Sequence, residues 1–154
     1  GGLEAHPLLA KLGPEPLAAG FTPEVLWHAL RQRSGPLKAL LLDQSVVAGL
    51  GNIYVCEALF AARISPFRAG HSLLFSEARR LHREIAAVLT RAIDKGGSTL
   101  RDYVGATGAA GGFQAEFLVY DRAGQPCTRR TCPACIAQVT QSGRSTYYCP
   151  GCQR

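Results

Sequence analysis

Apolar positions recur at helical spacing through most of the first hundred residues and give way to strand-like alternation near the end of the chain. Thr22-Pro23-Glu24 offers a hydroxyl N-cap, a proline at the first helical position and an acid in the first turn. That combination predicts a helix running to about Arg33. Ser34-Gly35-Pro36 ends it, and a second helix starts at Pro36 with Leu37, Leu40, Leu41 and Leu42. Gly49-Leu50-Gly51-Asn52 interrupts the apolar run before helix resumes over 53–63, with Val55, Leu59 and Phe60 on one side, and Ser65-Pro66 stops it. The longest helix is predicted over 75–95, where Leu81, Ile85, Val88, Leu89 and Ile93 form a core-facing stripe and Gly96-Gly97 supplies the stop. Residues 113–120 read as a strand, and 137–141 with 144–148 read as a hairpin turning at Ser142-Gly143.

The fold class expected is therefore mainly α with a small β-hairpin metal module. Four stretches follow from the punctuation: a Pro/Gly-rich linker (1–20), a helical domain (21–104), a Gly/Ala loop (105–112) and the hairpin module (113–154). Composition fits a globular chain of this kind, with 154 residues, 47% hydrophobic content and a mean hydropathy of +0.03. No apolar run approaches the ~18 residues that a membrane span needs, so a membrane partner is not expected. The chain contains no Met and begins Gly1-Gly2, so it is expected to be a piece of a longer product. A formal charge of +6 makes an anionic partner, nucleic acid above all, the first class to consider. That charge is uneven: no carboxylate side chain follows Asp121, while Arg122, Arg129, Arg130, Arg144 and Arg154 do.

Five of the six cysteines, Cys127, Cys132, Cys135, Cys149 and Cys152, crowd into the same basic segment. Two short-spaced thiol pairs across a hairpin are the pattern of one tetrahedral, closed structural zinc site. Cys149 and Cys152 form the second pair, and Cys132 belongs to the first. Its companion is either Cys135, with two residues between them, or Cys127, with four between them. A hairpin this small buries too little to fold unaided, so the metal would supply folding energy. Cys56 sits mid-helix among apolar neighbours and reads as a buried, inert thiol. Thiolate zinc ligands and the lack of a leader sequence fit a reducing, cytoplasmic setting.

Several strings together resemble one family. Leu37-Lys38-Ala39-Leu40-Leu41-Leu42-Asp43-Gln44, Gly49-Leu50-Gly51-Asn52-Ile53-Tyr54 and Glu57-Ala58-Leu59-Phe60 are similar to the helix–two-turns–helix domain of bacterial formamidopyrimidine-DNA glycosylases. Gly96-Gly97-Ser98-Thr99-Leu100-Arg101-Asp102-Tyr103 and Gly111-Gly112-Phe113 resemble the segment that follows it. Val119-Tyr120, Gly124-Gln125-Pro126-Cys127 and Gly143-Arg144-Ser145-Thr146-Tyr147-Tyr148-Cys149 are similar to the family's zinc finger. The resemblance runs over nearly the whole chain. The Gly-rich stretch at 105–112 favours the formamidopyrimidine branch over the endonuclease VIII branch.

The resemblance implies particular roles. Asn52 would bind a phosphate beside the lesion, a use that a Gly-flanked helix start suits, although a turn Asn satisfying its own backbone would look the same in sequence. Arg144 would clamp the phosphate at the flipped nucleotide and assist the δ-elimination. Tyr120 and Lys38 would be further phosphate contacts, and Arg33 a basic position on the DNA side. The 105–112 loop would close over an extruded base. Glu57 reads as structural. For the metal, the 16 residues kept between Cys132 and Cys149 favour Cys127 over Cys135, although the family spaces its first pair as tightly as its second.

The implied activity is that of a bifunctional DNA glycosylase and AP lyase of base excision repair. Such an enzyme removes oxidised purines (8-oxoguanine, formamidopyrimidines) and cleaves the strand by β,δ-elimination. The implied partner is double-stranded DNA carrying an oxidised purine or abasic site, bound by a monomer. Family members attack with an N-terminal proline amine, and nothing here matches their Pro-Glu start, so these 154 residues are expected to grip DNA without turning over. A stand-alone damaged-DNA-binding module with structural zinc is the alternative. A ribosomal-type RNA-binding module is more distant, because it needs neither the lesion loop nor Arg144.

Overall fold

The computed structural model describes residues 13–94, 117–141 and 143–154. Expectations for residues 1–12, for the helix stop at Gly96-Gly97, for the 105–112 loop and for 113–116 lie outside the described residues. Helix α1 (Pro23–Arg31) begins as the sequence dictates: the Thr22 hydroxyl accepts the Val25 N–H at 3.2 Å, and Leu26 and Leu30 turn into the core. It ends at Arg31, two residues earlier than Arg33, with Gln32 as its C-cap. Helix α2 (Leu37–Leu42) is short and buries Leu37, Leu40 and Leu41. Helix α3 (Asn52–Ala62) follows the Gly49–Gly51 turn, and Arg63 closes it in the left-handed conformation at φ 62°. Helix α4 (Phe75–Asp94) is the longest.

α3 differs from the one-sided helix that Val55, Leu59 and Phe60 suggest. Nearly every residue in it is buried, because it is walled on two sides. Ile53, Tyr54, Val55, Ala58, Leu59 and Ala62 face the main core with α1, α2 and α4. Cys56 and Phe60 face a smaller core shared with Val119, Cys127, Ile136, Tyr147 and Cys149. A helix covered all round carries no amphipathic stripe to read. On α4 the stripe holds at Leu81, Ile85 and Val88, but Ile93 is 58% exposed, and the inward positions are completed by Ala78 and Ala92.

The hairpin forms where alternation places it. β1 (Ala137–Gln141) and β2 (Arg144–Tyr148) pair antiparallel, with Gln141 opposite Arg144 and Gly143 at φ 77° in the turn. The expected strand over 113–120 is not found where it is described: none of Phe117–Tyr120 is in a strand, and 118–120 bend into a turn. Their backbone N–H groups have another acceptor. The Glu57 carboxylate takes the N–H of Leu118, Val119 and Tyr120 at 2.8, 2.9 and 2.8 Å, replacing a strand partner. The described part of the linker packs down, since Gly13 N–H donates to the Gln44 carbonyl at 2.7 Å and Ala48 N–H to that of Pro14 at 2.9 Å. Among the described residues no helix is long and apolar enough to cross a membrane.

Candidate nucleic-acid interface and metal centre

The start of α3 meets the tip of the hairpin. Gly51 caps α3 without a side chain, so the first-turn N–H groups carry no side-chain cap. The Asn52 amide donates to the Ser145 carbonyl at 3.0 Å, while its own Oδ1 is buried without a partner among the described residues. The ammonium of Lys38 reaches the same carbonyl at 3.2 Å and the Thr146 hydroxyl at 2.7 Å, and Thr146 in turn donates to Gln141 Oε1 at 2.9 Å. Two donors from two helices thus hold one carbonyl of β2. Arg144, the residue before it, is exposed, and its guanidinium has no hydrogen-bond or ion-pair partner among the described residues. Tyr120 packs tilted against Tyr147 with ring centroids 4.8 Å apart, and its phenol, pushed up by burial, is pulled back by a hydrogen bond from Asn52.

Asn52, Tyr120, Lys38 and Arg144 are therefore neighbours. Lys38 is not displayed to solvent: it is 1% exposed, and burial pushes its ammonium below the ordinary lysine range. Arg33 stands apart, donating to the Ala29 carbonyl at 2.9 Å and to the Ser45 hydroxyl at 3.4 Å. The acceptors Ser145, Thr146 and Gln141 were not singled out in the sequence. Nothing local in the sequence identified Thr146 as the partner of Lys38, 108 residues away.

The Sγ atoms of Cys127, Cys132, Cys149 and Cys152 all lie within 4.8 Å of one another. Cys135, the alternative to Cys127, is exposed and outside this group. The reason lies in the backbone. Cys127 N–H bonds the Ala134 carbonyl at 2.9 Å, so 127–135 closes as a loop that turns Cys127 and Cys132 inward. Gly151 lets the second pair close, because a Cβ there would lie 2.9 Å from Cys132 Sγ. At Cys149 burial opposes ionisation, but the N–H groups of Cys152 and Gly151 outweigh it and hold the thiol at about 7. Burial and the neighbouring Cys149 thiol push Cys152 up to about 12. Four thiols with one ready to ionise can hold a soft metal ion. Cys56 is buried and lies outside this group, and burial pushes its thiol up.

The module is bolted to the helical body at its far end. Gln153 donates to the Ile64 carbonyl at 2.9 Å and accepts the Cys149 N–H at 2.7 Å. Arg68 forks onto Glu77 and also donates to the Arg154 carbonyl at 3.2 Å. An apolar hollow lined by Leu17, Ala48, Leu89 and Ile93 contains none of the candidate site residues.

An uncapped helix start beside a hairpin tip that carries Arg144, on a helical body joined to a four-thiol finger, defines a zinc-finger-like class of fold in which the candidate residues share one face. Residues 12–104 match the model of the formamidopyrimidine-DNA glycosylase H2TH domain, and the chain belongs to that family. It is 54% identical over 156 residues to the formamidopyrimidine-DNA glycosylase of Rhodospirillum centenum, covering 99% of this chain and 54% of that protein. The crystal structure of MutM (Fpg) from Thermus thermophilus superposes with a TM-score of 0.84 at 47% identity, over 99% of this chain and 57% of that one. A Lactococcus lactis formamidopyrimidine DNA glycosylase, bound non-covalently to DNA containing an AP site, superposes at 0.82 with 37% identity, over 98% and 54%. The chain thus spans about half the length of the curated relatives it matches.

Proposed function

We propose that this chain is the DNA-gripping part of a bifunctional DNA glycosylase and AP lyase that removes oxidised purines and cuts the strand by β,δ-elimination. The observation that carries the reading is the Ser145 carbonyl, which ties Asn52 at the uncapped start of α3 to the residue beside the free guanidinium of Arg144. N–H groups, an amide and an arginine fork facing one small region suit a phosphate oxygen. Arg144 clamps that phosphate and assists the second elimination. Tyr120 borders it, Lys38 adds charge from beneath β2, and Arg33 extends the basic face. The likeness to relatives described with abasic and lesion-containing DNA supports duplex DNA carrying such a site as the partner.

The four thiols hold one structural zinc ion. Zinc–sulfur bonds of about 2.3 Å in a tetrahedron set the sulfurs about 3.8 Å apart. The pairs Cys127–Cys152 at 3.9 Å and Cys132–Cys149 at 3.5 Å straddle that spacing. The ion stabilises the fold of the hairpin and takes no part in base removal. The nucleophilic amine comes from outside these 154 residues, and the protein works as a cytoplasmic monomer.

Borohydride trapping on duplex DNA with an abasic site tests the division of labour. Retained binding without a covalent adduct is expected. An adduct would place the Schiff-base amine within these residues and overturn it. The alternative, a damaged-DNA-binding module with no turnover, predicts that joining a relative's other half to this chain restores no strand cleavage.

A further inference from the structure

The loop between the first two metal-site thiols, Thr128-Arg129-Arg130-Thr131, folds back on itself through a bond from Cys132 N–H to the Arg129 carbonyl at 3.0 Å. That turn swings Arg129 under the cluster. One arm of its guanidinium donates to Cys152 Sγ at 2.8 Å. The other donates to the Phe60 carbonyl at 2.7 Å and lies 3.5 Å from that of Ala61. The guanidinium carbon sits 4.0 Å from the centroid of the Phe60 ring. Phe60 and Ala61 belong to the last turn of α3, where the helix dipole favours a cation; the Phe60 carbonyl accepts the Arg63 N–H at 3.1 Å and takes the guanidinium as a second donor.

A planar fork is the side chain that can make these contacts together. A lysine ammonium would hold the charge as a point and could not lie flat on the ring while donating to both sides. The neighbouring Arg130 carries the same charge but is exposed. The thiolate cluster of a bound ion has net negative charge, and a donor on one sulfur offsets part of it.

We infer that Arg129 is the positioning residue that bonds the metal centre to the end of α3, so that the module keeps both its ion and its seat on the helical body. This rests on the zinc reading above. A ligand sulfur and a helix end share one guanidinium, so loosening either frees the other.

The test uses the zinc-loaded 154-residue chain and its Arg129→Ala, Arg129→Lys and Arg130→Ala variants. Zinc release to a chromogenic chelator is expected to be about ten- to hundredfold faster for Arg129→Ala, intermediate for Arg129→Lys and unchanged for Arg130→Ala. A second readout separates the sulfur bond from general loosening. In the cobalt-substituted chain, removing the donor raises the sulfur lone-pair energy, so the thiolate-to-cobalt band of Arg129→Ala moves to longer wavelength. If the wild-type chain holds zinc but Arg129→Ala releases it at the wild-type rate with an unmoved band, the inference fails while the zinc site stands. Equal acceleration by Arg130→Ala also overturns it, since net charge would then suffice. A wild-type chain that takes up no metal removes both readings.

Discussion

Replacing Arg144 by alanine separates a phosphate clamp from an ornament of the hairpin turn. The guanidinium is exposed and contributes no bond to the described fold, so the variant's urea midpoint should match the wild type. Binding should not match. Each phosphate neutralised by a cation contributes about 0.9 to the slope of log affinity against log salt. Losing one contact therefore flattens that slope by about 0.9. Between about 50 and about 200 mM salt, a fourfold change, the wild-type advantage shrinks by about 3.5-fold. Asn52→Ala provides the contrast: it removes an amide without charge, so affinity falls while the slope stays. The assay is fluorescence anisotropy on a labelled abasic duplex across a salt series. An Arg144→Ala slope equal to that of the wild type would refute the phosphate assignment, whatever the absolute affinity.

Two further substitutions read out charge through the pH dependence of stability. Lys38→Met removes an ammonium that burial holds below its ordinary 10.5, while Ser145 keeps Asn52 and Thr146 keeps Gln141 as partners. The folded wild type gives up that proton before the unfolded chain does, so its stability rises with pH between the lowered value and about 10.5. The variant should lack that rise in urea titrations above neutrality and lose little stability at pH 7; an unchanged rise would show that Lys38 is not its source. Glu77→Gln tests the opposite sign. Hydrogen bonding from Arg68 holds the Glu77 carboxyl below its ordinary 4.5, so its contribution is present above that value and fades as pH falls through the lowered one. The variant should cost about 1 kcal/mol at neutral pH and show a shallower acid transition; a wild-type acid limb would contradict this.

Local chemistry was legible. Thr22 declared the start of α1, Gly143 the hairpin turn, and the apolar spacing most of α4. What could not be read depended on partners distant in sequence. Glu57 takes the backbone donors of 118–120, which is why an apolar run that looks like strand forms turns. Lys38 was given as a phosphate contact by resemblance alone, and its burial could not be read because its acceptors lie more than a hundred residues on. The preference for Cys127 over Cys135, by contrast, was carried by the 16-residue gap between Cys132 and Cys149, and the four thiols that gather are that set. Asn52 and Arg144 were identified by their resemblance to known sequences, and their adjacency emerged only in three dimensions.

Glu57 and Arg129 make one helix the common support of the thiol-bearing segment. The carboxylate that gathers 118–120 and the carbonyls that seat Arg129 both belong to α3. The same helix starts at Asn52, whose amide holds the hairpin tip. A displacement of α3 would therefore reach the tip and the four thiols together, so the geometry of the two sites is set by a single rod.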